Sequence, residues 1–390
     1  MNSKIFFGLF ILAFLAIGCI SEYNSKLPSS DLQILFVDGS IIENSDVTFY
    51  LSKSFSLYGS MPEESVNIYA NLTIIGSDGY KSLPAISLGR GAYKFSVGKL
   101  DDNVEYGIQI EYDGDIYQST LAKPLHTPEI DSVSFAQPVE RGTISFRVST
   151  HDNKGEAKFY IWNYVEDWEI TAYYLTTFFL DPQSGGFYED DSMPYYFCWR
   201  NYKSNKFLIG STESLSDNRI INKQLYTCYP EDNRFLVLYS VNVQQKAISK
   251  SAFEYYQNKI VVNEEMGGIF TPQPSEMTGN ITCITDPSKK VMGYVEAAKN
   301  ITEKRIFVYP GEITRPVIST DCYSIDNDSI RTLLSEIGSN NYADAYSLGY
   351  RPIEKDDFGR PSYWAPVHCT ECTANGGSKN KPDFWPNNHK

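Results

Sequence analysis

The chain has 390 residues, of which 42% are hydrophobic, 14% aromatic and 21% charged, and this composition excludes a disordered, collagen-like or coiled-coil protein. Its length corresponds to roughly two or three domains of about 150 residues each. The formal net charge of −14 has the wrong sign for binding a phosphate backbone. We therefore expect no nucleic-acid partner.

The N-terminus has the pattern of an export signal. Lys4 precedes an apolar run over residues 5–18, which is shorter than the ~20 residues that a helix needs to cross a hydrocarbon core. The run ends in small residues directly before Cys19, an arrangement that resembles a bacterial lipobox. In such a signal the cysteine thiol takes a diacylglycerol before cleavage, and the freed amine is then acylated. An ordinary secretory signal followed by a chance cysteine is the alternative.

This pattern predicts a lipoprotein signal peptide over residues 1–18, an acylated (palmitate-bearing) Cys19 and a small, polar tether over residues 19–31. Two or three acyl chains suffice for stable attachment to a lipid surface without a transmembrane span. We therefore expect a lipid-anchored protein of the outer membrane. The sequence does not assign the periplasmic or the cell-surface face.

Residues 32–122 are predicted to form an immunoglobulin-like β-sandwich. Val47, Phe49 and Leu51 alternate with polar residues, which is the period of a strand with one buried face. The dipeptide Asp113-Gly114 separates two further alternating runs and suits a type I′ hairpin turn, because both residues accept a positive φ. About seven short strands in roughly 90 residues are typical of such a sandwich.

The remaining chain, residues 129–390, is predicted to be a larger β-rich domain with two short helices, so the whole protein is expected to be mainly β. Its predicted strands cover residues 145–148, 158–162, 207–209, 234–239 and 305–309. Ser249 or Ser251 caps the first helix, and Asp326 or Asp328 caps the second. Gly338 ends that second helix. Beyond it we expect an irregular, cysteine-containing segment held partly by Phe384-Trp385.

Six cysteines follow the lipidation site. They are Cys198, Cys228, Cys283, Cys322, Cys369 and Cys372. An even number in an exported chain favours disulfides, and all pairings remain open. Half of a zinc site at His368, Cys369 and Cys372 is the alternative, but no second Cys-x-x-Cys or histidine pair at zinc spacing accompanies it. We predict disulfides, no metal and no cofactor.

The sequence lacks the common catalytic motifs, including the Gly-x-Ser-x-Gly elbow, His-Glu-x-x-His and the phosphate-binding and dinucleotide-binding loops. Acidic clusters at residues 189–191 and 356–357 could contain the two carboxylates of a glycosidase. The preferred interpretation is that they are charged residues of solvated loops. Residues 326–328 resemble part of a calcium loop, but capping of the following helix explains them more simply.

Aromatic residues concentrate in one stretch of the second domain. The candidates for a binding surface are Tyr173, Tyr174, Tyr195, Tyr196 and Trp199. Exposed rings there would stack on sugars or anchor a protein partner. The alternative is burial, because aromatic residues are ordinary core and cross-strand residues of a β-sandwich.

The order of several short motifs resembles a family of uncharacterised Bacteroidota outer-membrane lipoproteins. Besides the lipobox they are residues 35–39, Gly91-Ala92-Tyr93, Tyr160-Ile161-Trp162, Asp167-Trp168-Glu169, Cys198-Trp199, Tyr255-Tyr256, residues 270–274, Gly279-Asn280-Ile281, Gly293-Tyr294, residues 304–307, Gly376-Gly377 and residues 381–385. The resemblance implies a domain of unknown function that is often encoded beside TonB-dependent transporters. It brings no catalytic residues.

These observations predict a non-enzymatic accessory or binding lipoprotein that works with a TonB-dependent transporter. One alternative is a hydrolase that acts on glycans or peptides, which requires convergent carboxylates in an aromatic-lined cleft. The other alternative is a lipoprotein with a structural role in the envelope.

Overall fold

The computed structural model describes residues 34–54, 67–181, 184–230, 233–265, 279–315 and 320–387. The predicted signal peptide, Cys19 and the predicted tether lie outside these residues. The described chain consists of two β-sandwich modules and a small C-terminal subdomain, which confirms the mainly β fold. None of its helices has both the length and the apolar character that a membrane span requires.

The first module packs a five-stranded sheet against a four-stranded sheet. Its early strands are β1 Leu35–Asp38, β2 Ile41–Ile42, β3 Asp46–Lys53, β4 Asn71–Gly76, β5 Ile86–Gly89, β6 Ala92–Ser96, β7 Tyr106–Tyr112 and β8 Asp115–Ser119. Val47, Phe49 and Leu51 are all buried, which confirms the alternation in β3. Asp113 and Gly114 join β7 to β8 with φ angles of 53° and 80°, as a type I′ turn requires.

A later part of the chain completes this module. The added strands are β18 Ile281–Cys283, β19 Val291–Gly293 and β20 Ala297–Ala298. β18 pairs with β8, β19 runs parallel to β1, and β20 runs parallel to β2. The predicted division at residues 122 and 129 therefore needs correction. Local periodicity shows that a strand exists, but not that its edge is paired by residues far away in the chain.

Two glycines make this return crossing sterically feasible. A Cβ atom on Gly279 would lie 1.6 Å from the carbonyl oxygen of Gly293. Gly293 has φ of 151°, and a Cβ there would lie 2.2 Å from the carbonyl oxygen of Val37. Only glycine permits such a close approach of backbones. Asn280 completes the crossing, since its side chain donates to the Val295 carbonyl and accepts from the Val295 N–H.

The second module is also a two-sheet sandwich. Its strands are β9 Ile130–Ala136, β10 Ile144–His151, β11 Phe159–Thr171, β14 Phe197–Lys203, β15 Leu208–Ser211, β16 Arg219–Cys228, β17 Tyr239–Ala247 and β21 Thr302–Val308. One sheet has the order β14-β11-β17-β21 with β15 also beside β11, and the other has the order β16-β10-β9. Large aromatic side chains such as Phe146, Trp162 and Tyr239 fill the space between them.

One predicted strand of this module is wrong. Residues 234–239 are not extended, because Asn233–Phe235 forms a 3-10 turn and β17 begins only at Tyr239. The turn brings the Arg234 guanidinium 2.7 Å from Glu166 and buries Phe235 against the Tyr239 ring. The contacts of Arg234 and Phe235 therefore outweigh the strand propensity of the apolar run.

The described residues contain four α-helices, two more than predicted: α1 Lys250–Glu265, α2 Asn327–Glu336, α3 Tyr342–Ser347 and α4 Val367–Thr370. Ser249 caps α1 by accepting from the Ala252 N–H. Asp326 caps α2 by accepting from the Ser329 N–H at 2.8 Å, and Gly338 follows that helix with φ of 72°. The end of α2 at Gly338 is as predicted. Of the two capping residues predicted for each helix, the first one forms the cap, Ser249 for α1 and Asp326 for α2.

The C-terminal chain is more regular than expected. Hairpin strands β12 Phe178–Leu180 and β13 Phe187–Glu189 lie with β22 Ile325–Asp326, β23 Tyr350–Lys355, β24 Pro361–Pro366 and the last three helices. Ile330, Leu334, Ala345 and Trp364 form a small core of their own. Short elements separated by turns give too little periodicity to be recognised in sequence.

Two disulfides hold this subdomain. Cys198 of β14 is bonded to Cys372, and Cys322 is bonded to Cys369. Cys228 and Cys283 lie outside these bonds as buried thiols. They belong to the cores of different modules, which explains why they do not pair with each other.

We expect Gly279→Ala to destabilise the protein by about 3 kcal/mol, because the added methyl group collides with backbone rather than with a movable side chain. Gly98→Ala is the matched control, since a Cβ at that position meets no atom within 4 Å. Chemical denaturation of both variants measures the difference. Equal stability of the two variants would contradict the described crossing.

Candidate functional site

A cleft with a volume of about 1080 Å³ lies where the two modules meet. The first module contributes Glu43 and Asp102 to its lining, and the linker contributes residues 123–126. The second module contributes residues 154–159 and residues 247–250, which include the start of α1. Interfaces between domains are common positions for ligand sites.

The charge of the cleft differs from that of the chain as a whole. Five lysines and three carboxylates line it, although the chain has a formal net charge of −14. The lysines are Lys123, Lys154, Lys158, Lys250 and Lys299, and the carboxylates are Glu43, Asp102 and Glu156. The cleft is therefore a locally cationic part of an acidic protein.

Two of these lysines already have carboxylate partners. The Lys299 ammonium contacts Glu43 at 2.9 Å and Asp102 at 2.5 Å, and it also donates to the Leu100 carbonyl. Lys250 contacts Glu213 outside the cleft lining at 2.8 Å. Lys299 is mostly buried, so it acts as a fixed element of the wall.

The other three lysines, Lys123, Lys154 and Lys158, are exposed. None of them makes an ion pair with another residue of the described ranges. Their charges are therefore available to a ligand. Pro124, Leu125, Phe159 and Ile248 add apolar surface to the same lining, and of these Phe159 and Ile248 are largely buried.

A rigid loop carries two of the available lysines. The Asp152 carboxylate accepts from the backbone N–H groups of Lys154, Glu156 and Ala157 at 2.7 to 2.9 Å. Burial raises the pKa of Asp152, but these backbone hydrogen bonds more than offset that effect and leave the pKa below its usual value. The Asn218 amide also donates to two carbonyls of the loop, and the loop backbone is thereby fixed.

The joint around the cleft is built from backbone and buried polar contacts. Ala297 and Ala298 of β20 pair with β2 on one side and with Leu125 on the other. Asn300 and Thr127 exchange three hydrogen bonds of 2.8 to 2.9 Å. On the second module, Lys246 donates to Ser40 of the first at 2.6 Å, which ties the modules directly together.

The lining supplies charge and shape rather than a reactive group. Its one hydroxyl side chain, on Ser249, accepts the capping hydrogen bond of α1. Its one histidine, His126, is exposed. The arrangement can hold an anion, but it presents no paired nucleophile and base within the described lining.

The aromatic candidates lie away from this cleft and contact the C-terminal subdomain. The Tyr174 N–H donates to the Cys369 carbonyl, and the Lys379 ammonium lies 4.1 Å from the Tyr195 ring. Trp199 exchanges backbone hydrogen bonds with Ser378, while Tyr196 packs its ring on Phe197. Of the five, only Tyr173 is more than one-third exposed. Their role as a binding surface stays a prediction.

The acidic clusters have local partners. Glu189 forms an ion pair with Lys355, and Asp190 accepts from the Ser192 N–H. Asp356 accepts backbone hydrogen bonds in its turn and pairs with Arg360. The disulfides compete with the alternative of a zinc site. Cys369 and Cys372 are both in disulfides, so neither has a thiolate to bind zinc.

Sequence reasoning missed a row of buried carboxylates on β11. Glu166, Asp167 and Glu169 are each less than 10% exposed. Glu166 accepts from Arg234 at 2.7 Å and from the Tyr239 hydroxyl at 2.5 Å. The sequence places these three acids close together within what becomes one strand. Acids that are buried in a strand need partners, so this clustering could have indicated them.

The remaining carboxylates of that row anchor the C-terminal residues. Asp167 contacts the Arg305 guanidinium at 2.7 Å, and the same guanidinium lies 3.5 Å from the Phe384 ring centroid. Glu169 accepts from the Trp385 indole N–H at 3.0 Å. Three of the sequence motifs, residues 167–169, 304–307 and 381–385, therefore meet in one structural cluster.

We expect Lys299→Met to cost about 1–3 kcal/mol at neutral pH, because it leaves the largely buried Glu43 carboxylate without its cation. Lys94→Met is the control, since the Lys94–Asp46 pair is exposed and screened by solvent, so its loss should change the free energy of unfolding little.

This difference should depend on pH. The hydrogen bond from Lys299 holds the pKa of Glu43 below its ordinary value of 4.5. A lowered folded-state pKa stabilises the protein above pH 4.5, and that contribution is lost as the pH falls through the lowered pKa. Wild type and Lys299→Met should therefore converge in acid. A constant gap from pH 7 to pH 3 would contradict the assignment.

A family model described as a domain of unknown function (DUF4249) matches residues 20–305. No curated protein matches the chain. Among solved structures, the chain is similar to a two-domain fibronectin type III segment from chicken tenascin, with 12% identity and a TM-score of 0.15. That match covers 54% of this chain and 90% of the tenascin segment. Because the family model spans more than half of the sequence, the chain belongs to the DUF4249 family.

Proposed function

We propose that the protein is an outer-membrane lipoprotein that acts as a non-enzymatic accessory or binding component of a TonB-dependent transporter. The observation that carries the binding role is the cleft between the modules. Its exposed lysines and apolar surface are suited to holding a ligand, and its described lining offers no nucleophile paired with a base.

The anchoring part of the proposal depends on Cys19. The residues before it match a lipobox, and a chain of net charge −14 gains nothing from anionic headgroups, which attract basic segments. Acyl chains on one sulfur and one amine would supply the attachment instead. A polar tether over residues 19–31 would separate the folded modules from the lipid.

The transporter part of the proposal is supported by the resemblance of the ordered motifs to lipoproteins that are often encoded beside TonB-dependent transporters. A rigid pair of β modules with a cleft between them suits an accessory protein that contacts a transporter or its cargo.

We expect Cys19→Ser to abolish lipidation, so no acylated N-terminus should form and the protein should leave the outer-membrane fraction. The matched control is Asn24→Ala, which changes the tether but keeps the thiol. Mass spectrometry of the mature N-terminus and membrane fractionation measure the outcome. Membrane retention of Cys19→Ser equal to that of the parent would contradict the proposed anchor.

Gentle solubilisation of the native membrane and purification of the tagged parent test the partnership. A TonB-dependent transporter should copurify in stoichiometric amount. Recovery of the parent as a lone monomer, without an enriched outer-membrane protein, would contradict the accessory role.

A further inference from the structure

We propose that the cleft between the modules binds a multiply charged organic anion, with its carboxylate or phosphate groups on Lys123, Lys154 and Lys158 and its apolar part against the partly exposed Pro124 and Leu125. The inference rests on the proposed binding role and names the chemistry of the ligand.

The first support is the local excess of positive charge. An acidic protein repels anions at long range, so a site for an anion must supply its own cations. Lys123, Lys154 and Lys158 supply them, because all three are exposed and none is neutralised by an ion pair with the described residues. Glu43 and Asp102 share Lys299, and Glu156 is the third carboxylate of the lining, so its five lysines still outnumber its carboxylates by two.

The second support is that the site is already organised. The Asp152 carboxylate and the Asn218 amide fix the loop that carries Lys154 and Lys158. In the linker, Lys123 precedes Leu125, whose N–H donates to the Ala297 carbonyl. A ligand that enters the cleft therefore pays little to order the backbone that carries these lysines.

The third support is the size and the polarity of the cleft. Its volume of about 1080 Å³ is just above the range of about 300–1000 Å³ that is usual for small-molecule sites. Apolar side chains line the cleft together with the lysines, so the lining matches an anion with an organic body better than a bare inorganic ion. Lysine is a compact point charge and can serve both carboxylate and phosphate groups.

The test uses the full mature chain in detergent and three small probes. Benzene-1,3,5-tricarboxylate carries three carboxylates on an apolar ring, tripolyphosphate carries phosphates without an organic body, and benzene-1,3,5-tricarboxamide is uncharged. Isothermal titration calorimetry measures their affinities at low and high salt. We expect the tricarboxylate to bind, the tricarboxamide not to bind, and added salt to weaken the anion.

The variant is Lys154→Gln/Lys158→Gln, which removes two charges from the cleft. Its affinity for the tricarboxylate should fall about tenfold, as expected for the loss of two partly exposed ion pairs. Lys81→Gln/Lys203→Gln is the matched control, because it changes the net charge equally at exposed positions outside the lining. Thermal unfolding confirms that both variants are folded.

Tighter binding of the tricarboxylate than of tripolyphosphate supports a carboxylate ligand with an apolar body, and the reverse order supports a phosphate ligand. Three results would each overturn the inference: no binding of either polyanion, equal binding of the tricarboxamide, or equal loss in both double variants. Copurification with a transporter is measured separately, so failure of the anion site is distinguishable from failure of the accessory role.

Discussion

The backbone pairing of Ile41–Ile42 with Ala297–Ala298 is the constraint on which the arrangement of the two modules depends. The chain leaves the first module near residue 122, builds most of the second, and then returns to complete the first. The chain therefore passes between the modules three times, near residue 122, between α1 and β18, and between β20 and β21, rather than through one flexible linker. The last of these passages also bridges to Leu125, so the linker itself takes part in the pairing.

This joint holds the walls of the cleft in place in a chain that lacks the common catalytic motifs. Domains connected by a single linker generally move relative to one another. Here the hydrogen bonds between Thr127 and Asn300 tie the linker to the segment between β20 and β21, and the contact of Lys246 with Ser40 links the two modules; these hydrogen bonds are partly buried. Opening the cleft would exchange the contact of Lys246 with Ser40 for contacts with water, at a net cost of about 0.5–1.5 kcal/mol for a typical hydrogen bond.

The buried carboxylates of β11 have a complementary role inside the second module. Glu166, Asp167 and Glu169 each hold a partner from a different part of the chain, namely Arg234, Arg305 and Trp385. Truncation of one partner would leave a charge buried in a low-dielectric core. The short sequence motifs at residues 167–169, 304–307 and 381–385 therefore include residues that hold the fold together, and their presence in the sequence does not by itself indicate a binding site.

Local signals in the sequence predicted the features that depend on neighbouring residues. The alternation of Val47, Phe49 and Leu51, the turn at Asp113-Gly114 and the cap at Asp326 belong to this class. The pairing of β18, β19 and β20 with strands of the first module was not predictable, and neither were the partners of the cysteines. Both depend on residues that are distant in the chain.

The cleft was missed for the same reason. Lys123 and Lys158 are ordinary surface residues in the sequence, and only the joint between the modules brings them to one site. The strand predicted over residues 234–239 failed because Arg234 pairs with Glu166 on another strand. Tertiary contacts of this kind override local propensity.

Native-state hydrogen exchange at the joint tests the central claim most directly. The amides of Ile41, Glu43, Leu125 and Lys299 all donate to backbone carbonyls of the segments that join the modules, namely Leu125 and residues 296–298. If the modules are held as one preformed cleft, these amides should exchange as slowly as core amides of β3 and β10, because only global unfolding exposes them. Rapid exchange of the joint amides, while both cores stay protected, would show that the modules separate easily and would contradict the account.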